Sequence, residues 1–168
     1  MQHVQALILL SQLKRFRDDA NLREENAAYL DQALSKIPGI VPHKPVDGAE
    51  KAAFHMYPFR FVEKEFGNID RSTFLKAMRA EGIPVRSGYG KQNHDGLMKE
   101  ALDSRGFRRL FDTARLEQWH EQNVLPGNDQ LTEEAVTLYQ NVLLGSKEDM
   151  DDIVNAVTKV YENRMKLG

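Results

Sequence analysis

The string best suited to chemistry is Ser87-Gly88-Tyr89-Gly90-Lys91, with His94 shortly after it. Two glycines let a backbone approach a ligand closely, and successive N–H groups can form an anion-binding nest beside a lysine amine. The string lacks Walker spacing and has no Ser or Thr after the lysine, so it is not a P-loop. A plain turn after a strand accounts for the same residues, and both readings stand on local sequence. His55 and Tyr57 form a second candidate pair, at alternate positions of an aromatic run. A histidine among aromatics on a sheet face is more often structural than catalytic.

Other chemistries find little foothold. The five histidines show no i, i+4 pair and no His-Glu-x-x-His motif, which leaves little case for a metal. There is no cysteine, so disulfides, thiolate nucleophiles and cysteine zinc sites are excluded together, which suits a reducing compartment. No Gly-x-Ser-x-Gly elbow is present. Arg105, Arg108, Arg109 and Arg115 alternate with Phe107, Phe111 and Trp119, a pattern compatible with single-strand stacking. Interspersed Asp103, Asp112 and Glu117, with a net charge of -2 and pI near 6.2, favour a solvated amphipathic face and no nucleic-acid partner.

The elements that would position these residues follow from periodicity. At 168 residues, 41% hydrophobic and 29% charged, the chain suits one soluble core. Residues 3 to 36 read as one long helix, with Leu9, Leu13, Phe16, Ala20, Ala27, Leu30 and Leu34 at alternating steps of four and three once polar Arg23 fills the one gap. Its early run, Ala6 to Leu10, is apolar all round and implies burial on every side. The remaining chain can cover one face; Leu7, Ile8 and Leu10 then call for a partner, and a homo-oligomer through this helix is expected. The run is too short for a membrane span or a secretory signal, so the expected location is cytoplasmic.

Val41 to Ala52 reads as a loop, and Phe54 to Val62 as a strand whose Pro58 places it at an edge or a bulge. Asp70 caps a helix burying Phe74, Leu75 and Met78, which stops at Gly82 before a strand at Pro84 to Tyr89. A polar excursion from Lys91 to Asn128 contains short helices near 97–103 and 113–122. Thr132 to Tyr139 reads as a helix and Asn141 to Leu144 as a strand. Ser146 and Asp149 cap a last helix facing inward through Met150, Ile153, Val154, Val157 and Tyr161. The sum is an α+β fold: a small, mostly antiparallel sheet covered by helices, with 1–36 as a connecting helix and 37–168 as one domain.

Four strings, in order, resemble one family. They are Met1-Gln2-His3-Val4-Gln5-Ala6; Phe54-His55-Met56-Tyr57-Pro58-Phe59-Arg60; Gly82-Ile83-Pro84-Val85-Arg86 with Tyr89; and Gln140-Asn141-Val142-Leu143-Leu144-Gly145. Together they resemble the C-terminal small domain of a DegT/DnrJ/StrS-type sugar aminotransferase dependent on pyridoxal phosphate. Where that family has Tyr-Pro-Pro and then a histidine, this chain has Tyr89-Gly90-Lys91 and then His94. The resemblance implies transamination of a keto-sugar or keto-cyclitol in the intact parent enzyme, with Tyr89, Gly90, Lys91 and His94 beside the substrate. It also implies that the cofactor-bearing lysine lies upstream of the matched region, so no residue here inherits a catalytic role. No cofactor is expected to bind this chain tightly by itself. A fragment or truncated product, inactive alone, is one expectation; a self-standing interaction or small-ligand-binding module of the same fold is the other.

Overall fold

A long first helix, α1 (His3–Leu34), leads into the domain of this computed structural model, which describes residues 3–49, 51–94 and 96–167. The four-three seam of α1 is buried only in its second half, at Ala27, Leu30 and Leu34. Its first half stands clear: Leu7, Ile8 and Leu10 are 68%, 59% and 55% exposed. The expectation that the rest of the chain covers one face of these turns is therefore corrected. The reason is length. Thirty-two helical residues span roughly 48 Å, whereas a strand of six residues spans about 20 Å, so the helix outruns the sheet beneath it.

The sheet has four antiparallel strands in the order β1-β2-β4-β3: β1 (Ile40–Pro42), β2 (Met56–Phe61), β3 (Arg86–Ser87) and β4 (Ala135–Tyr139). Alternation along β2 sends Tyr57, Phe59 and Phe61 into the core. β2 is an interior strand, which corrects the edge or bulge expected from Pro58. The short β1 pairs only with Phe59, Arg60 and Phe61, so it stops one residue before Pro58 and makes no demand on the missing N–H.

Two further expectations fail around β4. The helix placed over Thr132–Tyr139 ends at Glu134, and Ala135–Tyr139 is a strand wedged between β2 and β3. Val136, Thr137 and Tyr139 favour a pleated strand, and a slot open on both edges rewards one. Ala135 through Leu138 are all buried. Asn141–Leu144, expected as a strand, instead holds a 3-10 turn at Val142–Leu144. The strand expected over Pro84–Tyr89 shrinks to two residues at the sheet edge, and the supposed loop from Val41 contains most of β1.

Helices close the core from one side. In α2 (Arg71–Ala80), Asp70 accepts from the Thr73 amide at 3.0 Å, and Phe74, Leu75 and Met78 are buried as expected. Hydrogen bonds from the Ser72 and Thr73 hydroxyls, then the Thr73 amide, hold the Asp70 carboxyl far below its usual range. Gly82 takes the left-handed φ of 85° that ends this segment.

A helical excursion then runs through α3 (Gly96–Asp103), α4 (Arg105–Leu110), α5 (Thr113–Gln122) and α6 (Pro126–Glu134). Of these, α3 and α5 match the expected short helices, while α4 and α6 give no periodic signal. The last helix, α7 (Lys147–Glu162), has the full reciprocal capping box between Ser146 and Asp149. It buries Met150, Ile153 and Val157, joined by Ala156 and Val160, with Val154 and Tyr161 half-buried against the core.

Candidate substrate-facing loop

The loop after β3 is set by its neighbours rather than by its glycines. The Gly88 amide donates to the Ala135 carbonyl at 3.2 Å, and a Cβ at Gly88 would stand 2.8 Å from the Ala135 Cβ. Gly88 is thus required by close approach of β4. Neither Gly88 nor Gly90 has a positive φ, so the left-handed turn of an anion nest is not formed at either. Tyr89 projects outward, with its hydroxyl 3.3 Å from His55 Nε2. The contact joins residues 34 apart in sequence, one just before β2 and one just after β3.

The four loop candidates divide. Lys91 is half-buried, and its Nζ lies 3.2 Å from Asp129 Oδ1, an oxygen with no hydrogen-bond partner among the described residues. Its charge is therefore balanced by α6 rather than offered openly to a ligand. Gly90 has open space around it. His94 ends a 3-10 turn at Gln92–His94, and its side chain lies outside the described residues. Met1 and Gln2, which begin the first family string, also lie outside them.

His55 and Tyr57 part company. His55 is exposed just before β2, while Tyr57 is buried and donates from its hydroxyl to Asp31 Oδ1 of α1 at 2.7 Å. Burial, and then that bond to the carboxylate, push the Tyr57 phenol well above its usual range. Burial also raises Asp31, against the opposing effect of the Tyr57 bond. This pair joins helix to sheet.

Polar residues of the excursion, missed by sequence reasoning, support the loop from behind. Buried Asn93 donates to the Asn123 carbonyl at 2.9 Å and accepts from Asn128 Nδ2 at 3.1 Å. Arg71 donates to the Thr132 and Ala135 carbonyls at 2.6 and 3.0 Å, pinning the α6–β4 junction. Isolated asparagines and an aspartate in a polar stretch carry no period. Only Asn93 falling right behind the Gly-rich string could have marked it.

A long leading helix, a four-stranded antiparallel sheet backed by capped helices and a helical excursion form an architecture shared with aminotransferases of known structure. 3-Amino-5-hydroxybenzoic acid (AHBA) synthase superposes with a TM-score of 0.70 at 18% identity, over 94% of this chain and 38% of that one. An aminotransferase from Psychrobacter cryohalolentis gives 0.69 at 19% identity, over 97% and 39%.

The sequence model of the DegT/DnrJ/EryC1/StrS aminotransferase family matches residues 1–158, and the chain belongs to that family. It is similar to L-glutamine:2-deoxy-scyllo-inosose aminotransferase of Streptomyces kanamyceticus, 32% identical over 170 residues, covering 98% of this chain and 38% of that protein. The enzyme of the same description from Micromonospora echinospora is 30% identical over 171 residues, covering 99% and 39%. The chain therefore spans little more than a third of the length of these curated relatives.

Aminotransferases of this family use pyridoxal phosphate, which supplies an electron sink for carbanion chemistry when bound. The described residues do not fit its anchoring lysine. Every lysine but Lys91 is exposed, and Lys91 is tied to Asp129. A Schiff-base lysine needs a desolvated or otherwise activated amine, and none stands in such a setting here. Among the described residues, no cluster of metal-binding side chains is present, and no helix is long and apolar enough to cross a membrane.

Proposed function

We propose that this chain is the small, C-terminal portion of a pyridoxal-phosphate-dependent aminotransferase acting on a keto-cyclitol or keto-sugar, without turnover by itself. The reading rests on similarity along nearly the whole chain to L-glutamine:2-deoxy-scyllo-inosose aminotransferases. In the complete reaction, an amino group from glutamine or glutamate replaces the carbonyl oxygen of the acceptor, and the donor leaves as its keto acid. The lysine for that chemistry would come from outside these residues, since none here is suitably enclosed. The part left to this chain is to border the substrate: the paired His55 and Tyr89 offer ring nitrogen and phenol groups that suit a polyhydroxylated ring. A cytoplasmic setting accords with this reading.

The purified chain, mixed with pyridoxal phosphate, 2-deoxy-scyllo-inosose and L-glutamine, is expected to form no aminocyclitol and to develop no stoichiometric absorbance band of lysine-bound cofactor. Sustained turnover would remove the proposal.

The partner proposed for α1 is a second copy. The exposed half of its seam, Leu9, Leu13 and Phe16, keeps the spacing that buries Ala27, Leu30 and Leu34, and Leu7, Ile8 and Leu10 broaden it. A heptad-spaced stripe is self-complementary about a two-fold axis. Burying each Leu or Ile is worth about 1.5–3 kcal/mol. Sedimentation is expected to give a dimer or larger assembly, and the double change Leu7→Glu, Leu10→Glu a monomer. An unmodified chain that stays monomeric at high micromolar concentration contradicts this.

A further inference from the structure

Within the excursion, α3, α4 and α5 enclose a hollow of about 340 Å³ away from the loop after β3. Its walls are Met98, Leu102, Phe107, Phe111, Leu116 and Trp119, and the one charged side chain on its lining is Arg115. Such apolar walls with one convergent polar group are the makeup of a small-molecule pocket, at the small end of the usual roughly 300–1,000 Å³.

The charges around it decide what would enter. Arg108 is occupied by Asp103 at 3.0 Å, and Asp112 caps α5 by accepting from the Arg115 amide at 2.7 Å. The Arg115 guanidinium has no ion-pair partner among the described residues. A free, planar fork of N–H donors beside aromatic walls is matched by a carboxylate carried on an apolar ring. A neutral hydrocarbon would leave the guanidinium unused, and a polyol would leave its hydroxyls unmatched against the apolar walls.

We infer that the α3–α5 hollow is a binding site for a small aryl or alicyclic carboxylate, held by Arg115 through its carboxylate and by Phe107, Phe111 and Trp119 through its ring. The site is separate from the substrate-facing loop and does not depend on transamination.

Trp119 is the single tryptophan of the chain, so its emission reports on this hollow directly. The unmodified chain should show a saturable change in Trp119 fluorescence on titration with phenylpropionate. Phenylpropanol, the uncharged analogue, should bind at least about tenfold more weakly, and Arg115→Gln should weaken phenylpropionate by a similar factor. Arg115 is exposed, so this change spares the fold. Ala101→Phe, which fills the hollow, should abolish the signal while circular dichroism remains unchanged. Absence of saturation at millimolar phenylpropionate overturns the inference. So does equal binding of acid and alcohol, or unchanged affinity in Arg115→Gln, because either leaves only a nonspecific apolar patch.

Discussion

Phe74→Ala is expected to cost about 3–5 kcal/mol of stability, as truncation of a fully buried phenylalanine generally does. Phe74 is wholly buried at the centre of an aromatic cluster. It stacks on Phe61 with centroids 4.4 Å apart at 20°, and meets Phe66 edge-on at 5.3 Å and 75°. Phe59 adds a T-shaped contact at 6.4 Å. Those rings come from β2, α2 and the turn between them, so removing the central ring loosens helix and sheet together. Against a typical total of about 5–15 kcal/mol, the loss is a large fraction. Urea unfolding should show a lower midpoint with an unchanged slope. Phe107→Ala, at a half-exposed ring of α4, should cost less than about 1 kcal/mol. Similar losses for the two variants would mean that the cluster is not the centre of the core.

The parts of the fold legible in the sequence are those where local signals and tertiary demand agree. Asp70 with Phe74 and Met78, and Ser146 with Asp149 and Met150, combine a capping residue with a helical period; both helices form where those signals place them. β4 was illegible because Thr132 to Glu134 do belong to a helix, and the strand-favouring Val136, Thr137 and Tyr139 follow with no glycine or proline to mark the switch at Ala135. That switch is imposed from outside, by β2 and β3 and by Arg71 on the Ala135 carbonyl. Pro58 misled for a related reason: a proline argues for an edge only when both neighbouring strands run past it, and β1 does not.

At the loop, the presence of Tyr89, His55 and Lys91 was legible but their partners were not. Lys91 reads as a free cation in the sequence and is paired with Asp129 in the fold, a contact across the whole excursion. The seam of α1 was legible as a stripe, while the point where the domain stops covering it depends on the extent of the sheet, which no helical period encodes.

That stopping point is held by Asn26, and Asn26→Ala is expected to cost about 2–4 kcal/mol. Asn26 is buried in the second half of α1, and its Nδ2 donates to the carbonyls of Leu143 at 2.9 Å and Gly145 at 3.0 Å. These are the carbonyls that the 3-10 turn before α7 leaves without a helical partner, so one amide group satisfies both. Alanine would strand one buried and one partly buried acceptor, each costing about 1–3 kcal/mol where water cannot reach it.

Asn26→Asp sharpens the test through its sign. An ionised carboxylate would face two carbonyl oxygens, so its folded-state pKa must rise above the unfolded value near 4. The stability of this variant should therefore be greatest below about pH 4, where the carboxyl is protonated and donates, and should fall as pH climbs towards the folded pKa. Urea midpoints measured at acidic and neutral pH would read this out, with Asn26→Ala supplying the background slope. A variant pair with equal, pH-independent losses would mean that solvent serves the two carbonyls. The direction in which α1 leaves the domain would then have to be fixed by Leu30, Leu34 and the Tyr57–Asp31 bond alone.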